Sequence, residues 1–251
     1  LLSLISLAVA SVPEGLPAIV SIILSLGVQR MAQNKAIIRK LPTVETLGAM
    51  SVICSDKTGT LTMNEMTVKS VLLANGIYAV EGQSYEPRGR ITFGSTSDEL
   101  DWSRHRALQD FIHAVDICND SSLALNDEGR WGVVGGPTEG ALKVLARKAN
   151  LPEIEFQKFG KIPFDSAYKY MARRCDVAGQ SLVYLKGAPD VLLRMCQQQL
   201  GGNGVEPLDR QYWEREMSFI AGQGLRMLAA AYKPVQPDDG VIDHEDVQDG
   251  M

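Results

Sequence analysis

The chain opens with a long apolar stretch. Residues 1–29 carry a single charge, that of Glu14. As a continuous helix, residues 1–28 would extend about 42 Å, more than the roughly 30 Å hydrocarbon core of a bilayer. The sequence VPEGLP at 12–17 interrupts that helix, because its prolines donate no backbone hydrogen bond and its glycine loosens the chain. The pattern predicts a membrane segment of two half-helices flanking an unwound turn.

The unwound turn also predicts a cation site. Unwound backbone at membrane depth persists only where protein or a polar cavity satisfies its carbonyl groups. Carbonyl oxygens beside the carboxylate of Glu14 form a hard, oxygen-rich site that suits Ca²⁺ or a similar cation. An ionisable residue in a membrane segment is in itself a functional hypothesis. The alternative interpretations are a secretory signal and a buried core helix.

Four basic residues follow the apolar stretch before the next acid, Glu45, namely Arg30, Lys35, Arg39 and Lys40. A secretory signal carries its basic residues before the apolar run, which argues against that alternative. Basic residues beside a membrane span mark its cytoplasmic side. We therefore expect a membrane protein whose residues after about 30 are cytoplasmic.

Beyond this basic collar the pattern changes to short elements. Residues 42–48 predict a short helix, with a proline in its first turn and a glycine at its end. Residues 51–55, SVICS, predict a buried strand, since the run is too short and too β-branched for a helix. This strand places the polar sequence DKTGTLT, 56–62, at its carboxyl end, where open α/β sheets hold their active sites.

The residues in DKTGTLT suit phosphoryl transfer. The carboxylate of Asp56 could attack a phosphorus atom and form an acyl phosphate. Lys57 adds positive charge, and the hydroxyls of Thr58 and Thr60 could donate to phosphoryl oxygens. Mg²⁺ would bridge the carboxylate and the phosphoryl group. A strand followed by an ordinary polar turn is the alternative for these residues taken alone.

Residues 70 to about 234 predict a separate α+β module. Asn75-Gly76 between two short apolar runs indicates a hairpin. Helices are expected from Ser97 and from Pro137, the first with an apolar stripe that includes Leu108 and Ile112. The remaining predicted elements are a hairpin at 171–185, a helix at 189–196, a loop at 201–204, a helix near Trp213, Met217 and Ile220, and a strand at 225–232. We expect a solvated connector at 238–251, and helix-surface positions for His105 and His113.

The composition excludes several classes of protein. With 45% hydrophobic and 22% charged residues, the chain is neither disordered nor collagenous. Its four cysteines are far apart and form no C-x-x-C pair, so neither a disulfide scaffold nor a zinc site is indicated. The net charge of −5 argues against nucleic acid as a partner.

Several ordered motifs together carry a family resemblance. DKTGTLT, with SVPEGLP and VETLG before it and MNEMTV after it, resembles the P-type ATPases of the haloacid-dehalogenase-like superfamily. The resemblance implies an α/β protein with one membrane helix, a partial Rossmann-like phosphorylation domain and an inserted α+β nucleotide-binding domain with an antiparallel sheet. It implies that ATP phosphorylates Asp56 and that Mg²⁺ binds at Asp56 and Thr58.

One position separates this sequence from the soluble phosphatases of the same superfamily. Two residues after the nucleophile those enzymes carry a second aspartate as general acid and base, whereas this chain has Thr58. Without that proton carrier an acyl phosphate should live longer, which suits a protein that changes shape before hydrolysis.

The resemblance also assigns a nucleotide site. Phe164 matches the aromatic residue that stacks on adenine, and Lys186 with Gly187 matches the K-G-A motif at the base of the pocket. The other matching positions are Glu139, Lys169 and Arg226. Ser166 departs from the arginine of animal calcium pumps, so the positive charge near the phosphates would come from Lys169 and Arg226. Singly, Phe164 could be core, Glu139 a first-turn helix acid and Lys186 a solvated strand end.

The resemblance divides the chain into four parts: the fourth membrane helix at 1–29, the first half of the phosphorylation domain at 30–69, the nucleotide-binding domain at 70–236 and a connector at 237–251. The chain begins without Met and contains neither T-G-E-S nor G-D-G-x-N-D, so we expect a piece of a longer pump that is inactive alone.

The expected partners are ATP, the lipid bilayer, the pump's remaining domains and a transported cation held by Glu14 and the carbonyls near Val9, Ala10 and Val12. Ca²⁺ is the leading cation, with sodium, potassium and protons open. A soluble phosphatase and a non-catalytic ATP-binding module are the alternative functions.

Overall fold

The computed structural model describes residues 15–94, 100–202, 204–236 and 241–251. The chain divides into two compact units, one ending at Thr62 and the other covering Met63–Met251. The division falls seven residues before the predicted start of the nucleotide-binding domain.

Among the described residues of the first unit, two helices form the regular structure, α1 (Leu16–Gln33) and α2 (Pro42–Gly48). Helix α1 begins inside the predicted interruption, with Pro17 in its first turn, and it continues four residues past the predicted end at 29. It is the one helix among the described residues that is long and apolar enough to cross a membrane, and its apolar side chains are exposed. Helix α2 has the predicted bounds.

The strand predicted at 51–55 is wrong. Residues 51–56 have no regular structure, and Val52 and Ile53 expose 72% and 83% of their surface. A β-strand requires a neighbouring strand for its backbone hydrogen bonds, and a buried parallel strand also requires cover on both faces. The described residues offer this segment neither.

The second unit begins with an antiparallel sheet of β1 (Ser70–Leu73), β2 (Gly76–Val80) and β3 (Ile91–Phe93). The predicted first hairpin is confirmed, with its two-residue loop at Ala74 and Asn75. A 3₁₀ turn at Trp102–Arg104 follows, so the helix expected from Ser97 begins only at Arg106 as α3 (Arg106–Ile117). Residue 97 itself lies outside the described residues.

Helix α4 (Pro137–Ala149) begins at the predicted proline and ends where Asn150 adopts a left-handed φ of 46°. The hairpin of β4 (Ser122–Leu125) and β5 (Trp131–Val134) joins α3 to α4. Both helices pack on the first sheet, with Leu108, Ile112 and Leu145 in the shared core.

A four-stranded antiparallel sheet dominates the rest of the unit. Its strands run β11–β8–β7–β6 in space: β6 (Phe156–Asp165), β7 (Tyr170–Val177), β8 (Gln180–Gly187) and β11 (Ala229–Pro234). Between β8 and β11 lie α5 (Pro189–Met195), the hairpin β9 (Gln198–Gly201) and β10 (Gly204–Pro207), and α6 (Arg210–Gly222). The predicted loop at 201–204 is therefore the turn of a hairpin, and the last strand begins four residues later than predicted.

The two faces of this sheet bury different side chains. Cys175, Leu182 and Tyr184 pack with Ala114 and Ile117 of α3 on one face. The opposite face buries Ala172, Leu185 and Val183 against Leu192 of α5. Successive residues of a strand point to opposite faces of the sheet. Every residue of β8 after Gln180 is buried, so this strand contributes side chains to both cores.

The carboxyl-terminal residues are not the solvated connector that their acidic composition predicts. Val247 is fully buried, and Ile242 and Met251 are buried with it against the second face of the sheet. Backbone bonds fasten the end of the chain, with Gln197 N–H donating to Met251 O and Met251 N–H donating to Met195 O. The acidic side chains face solvent while three apolar ones anchor the segment.

The two histidines are less exposed than predicted. The Nδ1 atom of His105 lies 2.9 Å from the hydroxyl of the fully buried Tyr78. His113 is half-buried, and its Nε2 atom is shielded from solvent without a hydrogen-bond partner among the described residues. Burial lowers the pKa of His113 below its ordinary value, although Asp110 and Asp116 oppose the shift.

Candidate functional site

One end of the four-stranded sheet gathers the predicted nucleotide residues. Asp165, Tyr170, Gly187 and Ala229 lie opposite one another in a single row across β6, β7, β8 and β11. Phe164, Lys169 and Lys186 each come one residue before a member of this row, and Arg226 comes three residues before Ala229. Adjacent strands are about 4.8 Å apart, so the sheet brings together residues distant in sequence.

Lys186 and Glu139 form an ion pair beneath this end of the sheet. Lys186 Nζ lies 2.8 Å from Glu139 Oε1, and the two side chains are 4% and 24% exposed. Glu139 is in the first turn of α4, where a carboxylate is favoured by the partial positive charge of the helix. The prediction of a possible solvated strand end at Lys186 is therefore excluded, because this ammonium group is buried and paired.

Phe164 and Arg226 lie at the surface. Phe164 is 60% exposed, although it belongs to a strand of the main sheet. The alternative that Phe164 is a core residue is wrong. An exposed aromatic face can stack on a planar ring from solution.

The turn that carries Lys169 is tightly held. Residues 166–169 connect β6 to β7, and Lys169 has a left-handed φ of 60°. Its N–H donates to Asp165 O at 2.7 Å, while Asp165 Oδ1 accepts from Ala167 N–H. The carbonyl of Lys169 accepts from Ala188 N–H at 2.9 Å, which ties this turn to the end of β8.

Gly187 allows this close approach. A Cβ atom at position 187 would lie 2.5 Å from Lys169 O and 2.6 Å from Tyr170 Cβ, too near for any ordinary contact. The K-G-A sequence therefore has a packing reason for its glycine, independent of any ligand.

A buried polar loop, which the sequence analysis did not identify, supports Glu139. Asn119 is 2% exposed, and its Nδ2 donates to Glu139 O at 2.9 Å and to Val115 O at 3.3 Å. Its Oδ1 accepts from Ser121 N–H, and the Ser121 hydroxyl donates to Glu139 Oε2 at 3.4 Å. The only signal in the sequence is a polar run directly after the apolar stripe of α3.

Asp120, between these two residues, anchors the loop to the sheet. It pairs with the guanidinium of the buried Arg173 on β7 and with Lys161 on β6. Burial by itself would raise the pKa of Asp120, but the charges of Arg173 and Lys161 outweigh it and lower the pKa.

A shallow pocket of about 320 Å³ lies on the other side of the Lys169 turn. Tyr168, Lys169, Arg194 and His244 are among its lining residues, and Lys186, Glu139 and Phe164 are not. The rings of Tyr168 and His244 stack at 3.8 Å. This pocket touches the candidate site only through Lys169.

The sequence DKTGTLT, predicted to be the phosphorylation motif, forms a compact exposed turn in the first unit. Asp56 Oδ1 accepts from Lys57 N–H at 2.7 Å, and Lys57 O accepts from the N–H groups of Leu61 and Thr62. Gly59 has a φ of 76°, which favours glycine. The carboxylate of Asp56 is accessible to a substrate.

The donor atoms at this turn fit Mg²⁺ in kind. Asp56 supplies a carboxylate and Thr58 a hydroxyl and a carbonyl, and Mg²⁺ prefers oxygen ligands. No cluster of three or more His, Cys, Asp or Glu side chains that could hold a metal occurs within the described ranges. A single protein carboxylate completed by phosphate oxygens and water is an ordinary arrangement for this ion. The predicted transport residues, Val9, Ala10, Val12 and Glu14, lie outside the described residues.

Comparison with known proteins identifies the family of the chain through its second unit. The sequence profile of the P-type ATPase cytoplasmic domain N matches residues 107–250, more than half of the chain. The chain therefore belongs to the P-type ATPase family, as the motifs predicted. A cytoplasmic domain agrees with the predicted cytoplasmic position of the residues after about 30. The Rossmann-like half-domain before it stays a prediction.

Individual relatives extend the similarity over nearly the whole chain. The cation-transporting ATPase pma1 of Synechocystis sp. is 42% identical over 98% of this chain and 28% of its own length. The calcium-transporting ATPase of Bacillus subtilis is 42% identical over 92% of the chain and 27% of its own. The calcium-transporting ATPase type 2C member 2 of mouse is 38% identical over 92% and 25%. The chain thus spans about a quarter of the length of these relatives.

Proposed function

We propose that this chain is part of an ATP-driven cation pump, in which the second unit binds ATP and Asp56 accepts its terminal phosphoryl group. The observation that carries the proposal is the gathering of six predicted nucleotide residues around one end of one sheet. The sequence DKTGTLT, in a turn with an accessible carboxylate, supplies the acceptor. The bilayer and the remaining domains of the pump are its proposed partners.

Phe164 and Lys186 would bind the base. The exposed ring of Phe164 offers a face for stacking on adenine. The buried ammonium of Lys186, held by Glu139, offers a donor at the floor of the site. Lys169 and Arg226 place positive charge at the same end of the sheet, where it would attract the phosphates.

The phosphoryl step is a displacement at phosphorus. A carboxylate oxygen of Asp56 forms a bond to the γ-phosphorus while the bond from that phosphorus to the β–γ bridging oxygen breaks and ADP leaves. Lys57 and the hydroxyls of Thr58 and Thr60 would stabilise the negative charge that develops on the phosphoryl oxygens. Mg²⁺, bound by Asp56 and Thr58, would supply further charge neutralisation.

The transported ion is proposed to be Ca²⁺. Two of the three relatives described above are named calcium-transporting ATPases, and the third is named only as cation-transporting. Glu14 and the carbonyls near Val9, Ala10 and Val12 are the proposed ligands. Sodium, potassium and protons are the alternatives that a transport assay with each ion would distinguish.

Replacement of Asp56 tests the phosphoryl step. In the full-length protein, Asp56→Asn should abolish the acid-stable, hydroxylamine-sensitive phosphoenzyme formed from γ-labelled ATP and leave equilibrium ATP binding intact. Asp127→Asn, in an exposed turn, is the matched control and should form phosphoenzyme normally. Retention of hydroxylamine-sensitive label by Asp56→Asn would refute the assignment of Asp56 as the acceptor, whereas absence of label from the unsubstituted protein would favour a non-catalytic ATP-binding module.

A pair of exposed phenylalanines tests the base site. Phe164→Ala should weaken MgATP binding by roughly tenfold, since stacking of a base on an aromatic ring contributes about 1–3 kcal/mol. Phe219 on α6 is similarly exposed, at 62%, so Phe219→Ala controls for loss of a surface ring. Equal dissociation constants for the two variants, measured by calorimetry, would contradict the adenine assignment.

A further inference from the structure

The support beneath the candidate nucleotide site is a three-residue loop, Asn119 to Ser121, whose side chains reach four different elements. Asn119 contacts the end of α3 and the start of α4, and Asp120 contacts β6 and β7. Ser121 contacts the carboxylate of Glu139. The loop therefore joins the two helices to the sheet at the place where Glu139 meets Lys186.

The side chain of Asn119 makes three hydrogen bonds at this junction. A side-chain amide has two N–H donors and one acceptor oxygen, and here both donor directions and the oxygen are engaged. Only one orientation of the amide satisfies these three partners, because two of them are carbonyls and the third is an N–H group. At 2% exposure, Asn119 is shielded from bulk solvent.

As a result, each carboxylate oxygen of Glu139 faces a hydrogen-bond donor. Oε1 accepts from Lys186 Nζ at 2.8 Å, and Oε2 faces the Ser121 hydroxyl at 3.4 Å. Asn119 fixes the main chain of Glu139 directly and the position of Ser121 through its backbone N–H. The loop is pressed close to the start of α4, since a Cβ on Gly135 would lie 2.2 Å from Ser121 Oγ.

We propose that Asn119 is a positioning residue for nucleotide binding: it sets the carboxylate of Glu139, and through it the ammonium of Lys186. This inference rests on the proposed nucleotide site. Asn119 is buried and its side-chain amide is bonded within the protein, so its effect on affinity must pass through Glu139. Removal of Asn119 should therefore matter only while Glu139 has its carboxylate.

A double-mutant cycle tests this dependence. The dissociation constant of MgATP is measured on the full-length protein for Asn119→Ala, Glu139→Gln and the double variant. Residues that act through one contact show strongly non-additive effects. We expect Asn119→Ala to weaken binding about five- to tenfold, and the double variant to bind no more weakly than Glu139→Gln alone. Additive losses would overturn the inference.

Two further variants separate positioning from general loosening. Ser181→Ala removes another buried hydroxyl, bonded to Asp176 at the opposite end of the same sheet, and should lower the unfolding temperature without changing the dissociation constant. Ser121→Ala removes only the bond to Glu139 Oε2 and should weaken binding two- to threefold, with no effect in the Glu139→Gln background. Ser121→Ala keeps the inference testable if Asn119→Ala does not fold. An unchanged dissociation constant in Ser121→Ala, or an equal loss in Ser181→Ala, would refute it.

Failure of the inference differs from failure of the proposed site. If Glu139→Gln and Lys186→Met weaken MgATP binding but the Asn119 and Ser121 variants do not, the nucleotide site stands and the positioning role is refuted. If neither Glu139→Gln nor Lys186→Met changes the dissociation constant, the proposed site is refuted and the positioning role with it.

Discussion

Lys186 shows why a single residue type is ambiguous in sequence. Lysine is rarely buried, because removing an ammonium group from water costs several kcal/mol unless a partner compensates. For Lys186 that partner is the carboxylate of Glu139, which lies 47 positions earlier in the chain. A local pattern cannot reveal a partner so distant in sequence, so the motif identified Lys186 while only the fold accounted for its burial.

His113 should make the stability of the fold depend on pH. Burial lowers its pKa in the folded protein, so as pH falls through the ordinary value near 6.5 the unfolded chain takes up the proton first. The stabilisation from neutral His113 is present above that pH and is lost on acidification towards the folded pKa.

We therefore expect the unfolding temperature of His113→Leu to fall less between pH 8 and pH 5.5 than that of the unsubstituted chain. Thermal unfolding followed by circular dichroism at both pH values measures the difference, since all other titrating groups are shared. Parallel pH profiles for the two proteins would contradict the assignment of a depressed pKa to His113.

At the level of elements, local signals located most of the second unit. Asn75-Gly76 and the prolines in first turns predicted elements that the structure contains, often to within a residue. The predictions that failed are those in which contacts with neighbouring segments determine the secondary structure. The segment 51–55 has no partner strand in the described part of the chain, and α3 starts later than predicted because a 3₁₀ turn precedes it.

The carboxyl-terminal segment is the element whose composition misleads most. Its buried Val247 leads to a prediction: Val247→Ala should cost about 2 kcal/mol of unfolding free energy, since a fully buried side chain loses its apolar contacts. Val205→Ala, at a position 59% exposed, should change stability by less than about 0.5 kcal/mol. Denaturant unfolding measures both, and equal values would show that the segment is not packed in solution.

At the scale of the whole molecule, the two units differ in kind. No residue between 15 and 70 is buried, whereas the described residues of the second unit form three apolar cores. Buried apolar surface is the main source of folding free energy. The second unit therefore has its own basis for stability, and the segment 49–62 has none among the described residues.

Limited proteolysis of the detergent-purified chain tests this contrast. Trypsin should cut after Lys57, in the exposed turn, long before it cuts after Arg173 or Lys186, which are buried. The expected product is a resistant fragment that begins at Thr58, identified by mass spectrometry. Cleavage within β7 or β8 at a rate like that at Lys57 would contradict an independently folded second unit.

The sequence by itself determined the family and the apolar helix with its basic collar, and it predicted the phosphorylation motif and the nucleotide residues, because each depends on residue identity or short-range spacing. Only the tertiary structure decided which of these residues lie together, since cross-strand register joins positions 164, 169 and 186 with the start of β11. It also decided that Lys186 is buried against Glu139 and that Asn119 supports the pair. Burial and hydrogen-bond partners are set by contacts between residues far apart in sequence, and no local pattern contains them.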